Sequence, residues 1–216
     1  MGIAIKLDNV NKSFGENNVL KNISVSFESG KIHGLIGRNG SGKTVLMKCI
    51  CGFVPVSEGK ITVNNKEMKK YFDTPEIMGI IIETPGFLNN YNALDNLMFL
   101  ANIRKKVGKA RVREVINQVG LSPDEKKAVG RYSLGMRQRL GLAQAIMEDP
   151  EILVLDEPMN GLDKDGVSDM RRYLLDLKNQ GKTIIIASHS TEDIDILCDT
   201  VSEMEKGVLT KVRGFE

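Results

Sequence analysis

Short apolar runs of the kind that form β-strands dominate the first third of the chain. They cover residues 3–7, 19–27, 32–36 and 60–63. Turn residues such as Asn17-Asn18 and Ser29-Gly30 separate them. We therefore predict that the first third of the chain is largely β-sheet.

The middle of the chain changes from this strand-like pattern to a helical one. Two sets of four apolar residues follow the spacing i, i+3, i+4, i+7 of a single helix face: Leu94, Leu97, Met98 and Ala101, then Val112, Val115, Ile116 and Val119. The pattern predicts a helical insert, which we place at residues 84–147.

A strand, a helix and a second strand follow the insert. The strands are the apolar runs 152–156 and 183–187. One face of the helix between them carries Val167, Met170, Leu174 and Leu177. Two buried strands joined by a helix are typical of a parallel βαβ unit, so the expected fold class is α/β with a parallel sheet.

Length and composition fit one globular domain spanning residues 1–216. The chain is 41% hydrophobic and 27% charged, and its 30 basic and 28 acidic side chains leave a formal charge of +2. A balance this close to neutral gives no electrostatic basis for binding nucleic acid. We expect no nucleic-acid partner.

Neither a membrane span nor a disulfide framework is expected. The apolar runs are much shorter than the roughly 20 residues that cross a bilayer, and the first residues lack a signal-peptide stretch. The three cysteines, Cys49, Cys51 and Cys198, form no C-x-x-C pair and are interpreted as buried thiols. His33, inside a predicted strand, is interpreted as an ordinary core residue. These features predict a cytoplasmic location.

The most specific chemical motif follows the predicted strand 32–36. It is a complete G-x-x-x-x-G-K-[ST] sequence made of Gly37, Arg38, Asn39, Gly40, Ser41, Gly42, Lys43 and Thr44. The glycines allow backbone N–H groups to surround phosphate oxygens, and the helix that follows points its positive N-terminus at the same charge. Lys43 is expected to reach the β- and γ-phosphates, and the Thr44 hydroxyl to bind Mg²⁺. The alternative is a glycine-rich turn before a buried helix.

Two acids end the apolar run that starts at residue 152. Asp156 and Glu157 lie at the carboxyl end of the predicted strand, the edge at which ligands bind in open parallel sheets. Because successive side chains of a strand point to opposite faces, Asp156 can face Mg²⁺ while Glu157 faces the γ-phosphate and an attacking water. The alternative is a core strand followed by an acidic turn.

Between these motifs lies a segment that resembles a known family. It reads Tyr132-Ser133-Leu134-Gly135-Met136-Arg137-Gln138-Arg139, and we call residues 132–139 the signature segment. Together with the glycine-rich loop and the acid pair, it resembles the ATP-binding cassette (ABC) ATPases, whose signature usually reads Leu-Ser-Gly-Gly-Gln. Ser133 and Gly135 match its Ser and second Gly, while three other positions differ. A hydroxyl and an unshielded N–H at a helix start can bind a phosphate, although Ser133 can also be an ordinary helix cap.

The resemblance implies roles for further residues. His189 lies where the family keeps a histidine that contacts the γ-phosphate. Asp163, in Gly161-Leu162-Asp163, looks like part of the family's D-loop. Phe14 occupies the place of an aromatic residue that stacks on adenine, but it can equally be a core residue.

One position departs from the family pattern. Where most members carry Gln at the entrance to the helical insert, this chain has Glu83, followed by Thr84-Pro85-Gly86-Phe87. Glu83 can ligate Mg²⁺ or accept a hydrogen bond from water, but it cannot donate one as an amide does. This run and the signature segment are similar to the branch that serves bacitracin and lantibiotic-type peptide exporters. The resemblance covers residues 3 to about 208.

The resemblance also implies the fold and the function. The fold is a P-loop NTPase core with an N-terminal antiparallel β-subdomain and an inserted helical subdomain. Two copies, or one copy and a paralogous ATPase, would enclose ATP between the loop 37–44 of one and Ser133 and Gly135 of the other. With ATP and Mg²⁺, the chain would power a membrane exporter from the inner face of the membrane. Two alternatives stay open: a soluble cassette ATPase that acts on ribosomes or DNA, and a P-loop kinase.

In transporter members a permease subunit docks beside the Glu83 loop. The candidate contacts here are Pro85, Phe87, Leu88 and residues 92–98. A basic stretch follows: Arg104, Lys105, Lys106, Lys109, Arg111 and Arg113. It is interpreted either as a surface for anionic lipid or the permease, or as a solvated helix face.

Overall fold

The computed structural model describes residues 2–68, 77–83 and 85–215. In these ranges the strands are β1 (Ile3–Phe14), β2 (Asn17–Glu28), β3 (Ile32–Ile36), β4 (Glu58–Val63), β5 (Lys66–Glu67), β6 (Met78–Ile81), β7 (Ile152–Asp156), β8 (Thr183–Ala187), β9 (Thr200–Glu205) and β10 (Val208–Arg213). The helices are α1 (Lys43–Ile50), α2 (Ala93–Arg104), α3 (Lys109–Gln118), α4 (Leu134–Ile146), α5 (Lys164–Asn179) and α6 (Thr191–Leu197). The predicted α/β class is confirmed.

The N-terminal strands form an antiparallel sheet in the order β2-β1-β4-β5. Its alternating pattern buries one face, on which Ile5, Leu7 and Phe27 are fully covered. The predicted turn at Asn17-Asn18 is wrong, because Asn17 already pairs with Phe14 as the first residue of β2. Gly15 makes the turn instead, with a φ of 59° that glycine adopts without strain.

The second sheet has the order β10-β9-β3-β8-β7-β6. All neighbours pair in parallel except β9 and β10. The side chains of β7 alternate between two cores: Leu153 and Leu155 pack with the helical insert and α5, and Ile152 and Val154 pack with α1 and the antiparallel sheet. Apolar residues cover both faces, which is why β7 reads as a continuous apolar run.

The helical insert lies between β6 and β7 and contains α2, α3 and α4. Its predicted helix faces are confirmed, since Leu97, Ala101 and Val115 are fully buried. Residue 84, at which the predicted insert begins, lies outside the described residues. At the other boundary α4 touches the sheet through the backbone, because a Cβ at Gly79 of β6 would overlap the carbonyl oxygen of Ala145.

The three cysteines are free and buried, as the sequence predicts. Burial raises the pKa of Cys49 to about 11 and that of Cys198 to about 12, and it also raises the pKa of Cys51. These thiols therefore stay protonated at neutral pH and act as small apolar side chains.

His33 is a core residue with both ring nitrogens paired. Its Nδ1 lies 2.7 Å from the hydroxyl of Thr200 and its Nε2 lies 2.9 Å from the backbone oxygen of Glu28. The ring also contacts Phe27, with centroids 5.1 Å apart. Burial lowers the pKa of His33 below its ordinary value, because a charged imidazolium would lose its hydration.

This lowered pKa predicts a pH-dependent stability. The unfolded chain binds a proton at His33 more readily than the folded chain, so the stabilisation is complete above about pH 6.5 and is lost as the pH falls towards the folded-state pKa. We expect the free energy of unfolding to fall as the pH is lowered from about 6.5 to about 5.5, and to fall less steeply in His33→Gln. Urea titrations of both proteins across this range test it, and equal slopes would contradict it.

Candidate functional site

Four site segments follow four neighbouring strands of the parallel sheet. The strands lie in the order β3-β8-β7-β6, so the residues that follow them meet at one edge. These residues are the loop 37–44, Ser188 with His189, Glu157 after Asp156, and Ile82 with Glu83. The carboxyl edge of a parallel sheet is where α/β proteins bind ligands, so the topology assembles distant parts of the chain into one site.

Three of these segments, all except Ser188 with His189, line a cleft of about 480 Å³. Its described lining consists of Val19, Asn39, Gly40, Ser41, Gly42, Lys43, Thr44, Val45, Glu83, Leu134, Gln138, Asp156, Glu157 and Asn160. The volume is in the ordinary range for small-molecule sites. The cleft therefore brings together most of the predicted phosphate- and metal-binding residues.

The glycine-rich loop has the geometry of a phosphate cradle. Gly37 has a φ of 141°, and a Cβ there would overlap the carbonyl oxygen of Met204. Arg38, Asn39 and Gly40 form the exposed apex of the loop. The Ser41 hydroxyl is buried and has no hydrogen-bond partner among the described residues. A buried hydroxyl without a partner, next to a loop at a helix N-terminus, suits a phosphate oxygen.

Lys43 begins α1 and its ammonium group lies inside the loop. Its Nζ donates to the carbonyl oxygens of Gly37, at 2.6 Å, and Arg38, at 3.2 Å. An ammonium group carries three donors, so one remains for a ligand in the cradle. Lys43 thus both closes the loop and supplies positive charge to it.

Thr44 and Asp156 lie together at the floor of the cleft. The Thr44 hydroxyl donates to Oδ2 of Asp156 at 2.9 Å, although the residues are 112 positions apart. Burial raises the pKa of Asp156, the Thr44 hydrogen bond opposes that effect, and the Glu157 carboxylate adds to it. A carboxylate held in such surroundings gains from a nearby cation, and both side chains offer the hard oxygen ligands that Mg²⁺ prefers. The pair fits a magnesium ion.

Glu157 is in contact with His189, which is not among the described residues that line the cleft. His189 Nδ1 lies 2.8 Å from Oε2 of Glu157, and the histidine side chain is 76% exposed. The Glu157 backbone has the positive φ of 49°, which is uncommon for a residue other than glycine. The structure thus brings together Glu157 and His189, two of the three predicted catalytic residues (the third is Lys43), with the Glu157 side chain only partly exposed.

Gln138 is a residue of the site that the sequence reasoning missed. It lies on α4, and its Nε2 donates to the backbone oxygen of Glu157 at 3.2 Å. Helical spacing contains a signal for it, because Gln138 shares its helix face with the buried residues Gly135, Leu142 and Ala145. A glutamine on a buried helix face needs a hydrogen-bond partner, because burying an unpaired amide is unfavourable.

Glu83 lines the same cleft, but it is paired with a second residue that the sequence reasoning missed. Its Oε1 lies 2.5 Å from Nζ of Lys48, and its backbone has a φ of 63°. Lys48 lies on α1 four residues after Thr44, and therefore on the same helix face. In this arrangement the Glu83 carboxylate binds an ammonium group.

Ser133, Gly135 and Asp163 are not among the described residues that line the cleft, although Leu134 is. They line a separate depression of about 600 Å³. The Ser133 hydroxyl caps α4 by accepting from the Met136 N–H at 3.2 Å, and Asp163 caps α5 through the Gly166 N–H at 2.9 Å. Ser133 is exposed, so its capped helix start faces solvent. The two groups of residues predicted to bind phosphate therefore line different depressions of one chain.

Phe14 ends β1 and is 50% exposed, so the alternative of a core phenylalanine is wrong. The ammonium group of Lys12 lies 4.7 Å from its ring centroid. Phe14 is not among the described residues that line the cleft.

A phosphate loop after one parallel strand, with an acid pair at the end of another, defines a P-loop NTPase. The sequence pattern of the ABC transporter family matches residues 20–160. The chain is 43% identical to the uncharacterized ABC transporter ATP-binding protein YybJ of Bacillus subtilis over 95% of this chain and 94% of that protein. It is 40% identical to the bacitracin transport ATP-binding protein BcrA of Enterococcus faecalis, over 98% of this chain and 69% of that one. It is 36% identical to the lantibiotic transport ATP-binding protein SrtF of Streptococcus pyogenes, over 98% and 91%.

A solved structure agrees with this assignment. CbiO1 from Clostridium perfringens, part of an ABC transporter complex, superposes with a TM-score of 0.85 at 26% identity, over 97% of this chain and 88% of that one. The chain belongs to the ABC transporter family, and it is an ATP-binding and ATP-hydrolysing subunit of a transporter. The predicted resemblance and fold are confirmed. Such subunits pair with membrane permease components, and in this chain no helix among the described residues is both long and apolar enough to cross a bilayer.

Proposed function

We propose that this chain drives export of an antimicrobial peptide or another hydrophobic substrate, and that ATP closes it against a second cassette. One observation carries the proposal. The loop 37–44 and the capped helix start at Ser133 can each bind phosphate, but they line separate depressions of one chain. A two-fold pair places each loop opposite the Ser133 of its partner, so that both sites are complete. The second cassette is another copy or a paralogous ATPase.

In this proposal ATP binds first to the loop 37–44 of one chain. Backbone N–H groups of the loop, the Ser41 hydroxyl and the Lys43 ammonium bind the phosphates. The exposed ring of Phe14 stacks on adenine. Ser133 and Gly135 of the second chain then bind the γ-phosphate, and Asp163 lies beside them at the seam.

Thr44 and Asp156 are the proposed holders of Mg²⁺, as their shared hydrogen bond and oxygen ligands indicate. When bound, the ion neutralises charge on the phosphates. Glu83 is a further candidate ligand. Its Oε1 lies against the ammonium group of Lys48, so Oε2 is the oxygen that it would offer to the ion.

Glu157 is the proposed general base. It accepts a proton from a water molecule, the water oxygen bonds to the γ-phosphorus, and the bond from that phosphorus to the bridging oxygen of ADP breaks. His189 holds the Glu157 carboxylate through Nδ1. In this proposal it also contacts the γ-phosphate. Loss of the γ-phosphate removes contacts that exist only in the closed pair, so the pair opens.

We treat the helical insert as one subdomain of residues 84–147. The proposed permease contact is the groove between this insert and β6. Apolar residues from both sides line it, among them Ile80, Ile82, Pro85, Leu100 and Ile103. Phe87 and Leu88 precede α2 at this boundary, and Leu88 is exposed. An apolar groove next to Glu83, which follows β6, suits a short helix of a permease. Docking there would hold the chain at the cytoplasmic face of the membrane.

The basic stretch that begins at the end of α2 is better explained as a solvated face. Arg104 binds Glu148 at 2.8 Å, Arg111 binds Glu114 at 3.1 Å and Arg113 binds Asp124 at 2.9 Å. Cations that are already paired within the chain attract anionic lipid less strongly. The lipid alternative therefore has less support than the permease groove.

The substrate class rests on the relatives. BcrA is named for bacitracin transport and SrtF for lantibiotic transport, and the chain matches both over 98% of its length. Both relatives therefore support a peptide antibiotic as the cargo of this transporter.

Mixing two defective chains tests the shared sites. Lys43→Ala damages the loop of one chain. Ser133→Asp keeps the helix cap of the other but places a negative charge where phosphate would bind. In a Glu157→Gln background that preserves ATP, we expect each variant alone to stay monomeric. An equal mixture should form pairs with ATP, because one complete site remains, and light scattering measures the mass.

Ser133→Asn is the matched control for the mixing experiment. It keeps the cap without adding charge, and we expect it to pair with ATP like the Glu157→Gln parent. Should the parent pair with ATP while the mixture remains monomeric, the two half-sites are not shared between chains.

A further inference from the structure

Glu157 is held in an unusual backbone conformation by three hydrogen bonds. Its φ of 49° is a left-handed value, which is strained for a residue with a side chain. Its N–H donates to the Ala187 oxygen at 2.9 Å, and its own carbonyl oxygen accepts from the Asn160 N–H at 3.1 Å. The third bond comes from the Gln138 side chain. The direction of the Glu157 carboxylate therefore depends on contacts made by its main chain.

Of these three contacts, only the one from Gln138 comes from the helical insert. Gln138 is 6% exposed, and its carboxamide reaches 3.2 Å from the Glu157 oxygen while also lining the cleft. The rest of its helix face is apolar or small, so packing alone would be satisfied by an apolar side chain. Burying an amide lowers stability unless the amide is hydrogen-bonded, so the presence of Gln138 at this position points to its hydrogen bond with Glu157.

The same helix carries Ser133 at its start. Ser133 is the cap of α4, and its carbonyl oxygen accepts from the Arg137 N–H at 3.0 Å, so residues 133–138 form continuous helix. A hydrogen-bonded helix of this length moves as a unit. A shift of Ser133 is therefore passed to the Gln138 side chain.

We infer that Gln138 is a positioning residue that ties the Glu157 backbone to the signature segment of the same chain. The inference rests on the proposed function, in which Ser133 serves the nucleotide of the partner while Glu157 serves the nucleotide of its own loop. In that case Gln138 orients the Glu157 carboxylate for proton transfer only when α4 is in its position in the closed pair. It links the two nucleotide sites through one helix.

Gln138→Met tests this role in the full chain. Methionine has a similar length and volume but no N–H donor. The packing is therefore kept, and the hydrogen bond to the Glu157 oxygen is lost. Gln144→Met makes the same change elsewhere on α4 and is the matched control. Turnover is counted per nucleotide-binding site, determined with a fluorescent ATP analogue, so that unfolded protein does not enter the rate.

We expect kcat of Gln138→Met to fall by about 10- to 100-fold, the effect of a small misplacement of a catalytic group. Affinity for the analogue should stay within about twofold of the parent, because the loop 37–44 is intact. Gln144→Met should match the parent. In a Glu157→Gln background, Gln138→Met should cause no further loss of single-turnover hydrolysis, since it acts through Glu157.

Parental kcat in Gln138→Met overturns the inference. So does an equal loss with and without Glu157, because that pattern marks a structural role. Neither result touches the proposed function. If the parent chain itself fails to hydrolyse ATP or to pair, the proposed function fails, and this inference fails with it.

Discussion

Replacing Glu157 with glutamine is expected to lower ATP turnover by about 10²- to 10⁴-fold while leaving ATP binding intact. The amide has the shape of the carboxylate and can still accept from His189 Nδ1, which lies 2.8 Å from Oε2 in the parent. It cannot take a proton from water. The variant should therefore accumulate as an ATP-bound pair, which steady-state phosphate release and light scattering measure together.

Glu58→Gln is the matched control for this change. Glu58 is exposed at the start of β4 in the antiparallel sheet, and its loss should alter neither turnover nor pairing. Parental turnover in Glu157→Gln would mean that another group takes the proton. Loss of nucleotide binding would instead assign Glu157 to the binding site itself.

Gly37→Ala is expected to remove ATP binding and to lower the free energy of unfolding by about 3 kcal/mol or more. Two effects add. The φ of 141° is strained for alanine, and the new Cβ would overlap the Met204 carbonyl oxygen at the end of β9. The loop must shift away from β9, and its N–H groups then no longer converge on phosphate. Urea unfolding and binding of the fluorescent analogue measure the two losses.

Gly40→Ala separates the effect of backbone strain from the effect of steric overlap with the Met204 oxygen. Gly40 also has a positive φ, of 78°, but a Cβ there meets no described atom within 4 Å. Its expected cost is about 1 kcal/mol, from the left-handed backbone alone. Equal destabilisation by both variants would show that the contact between the loop and Met204 is unimportant.

The parts of the site that depend on local chemistry could be predicted from the sequence. The loop 37–44 needs its glycines, Lys43 and Thr44 in one short stretch, and the acid pair directly follows an apolar strand. Helix faces were also predictable, because burial imposes a period of 3.6 on residues such as Leu97 and Ala101.

Contacts between distant segments could not be predicted in the same way. Lys48 and Glu83 are 35 positions apart, and Gln138 and Glu157 are 19 apart, so neither pair follows from a local period. Each arises from the strand order, which places β6, β7 and β3 near one another. The turn at Gly15 was missed because Asn17-Asn18 has the composition of a turn but the pairing of a strand.

The backbone contact between Gly79 of β6 and Ala145 of α4 has a mechanical consequence. A contact between main chains offers no side-chain torsion that can rotate to absorb a displacement. If a permease docks in the proposed groove, force that it applies to the helical insert would therefore be transmitted to β6 and, two residues beyond its end, to Glu83. There the ion pair with Lys48 passes the displacement to α1, the helix that carries Thr44.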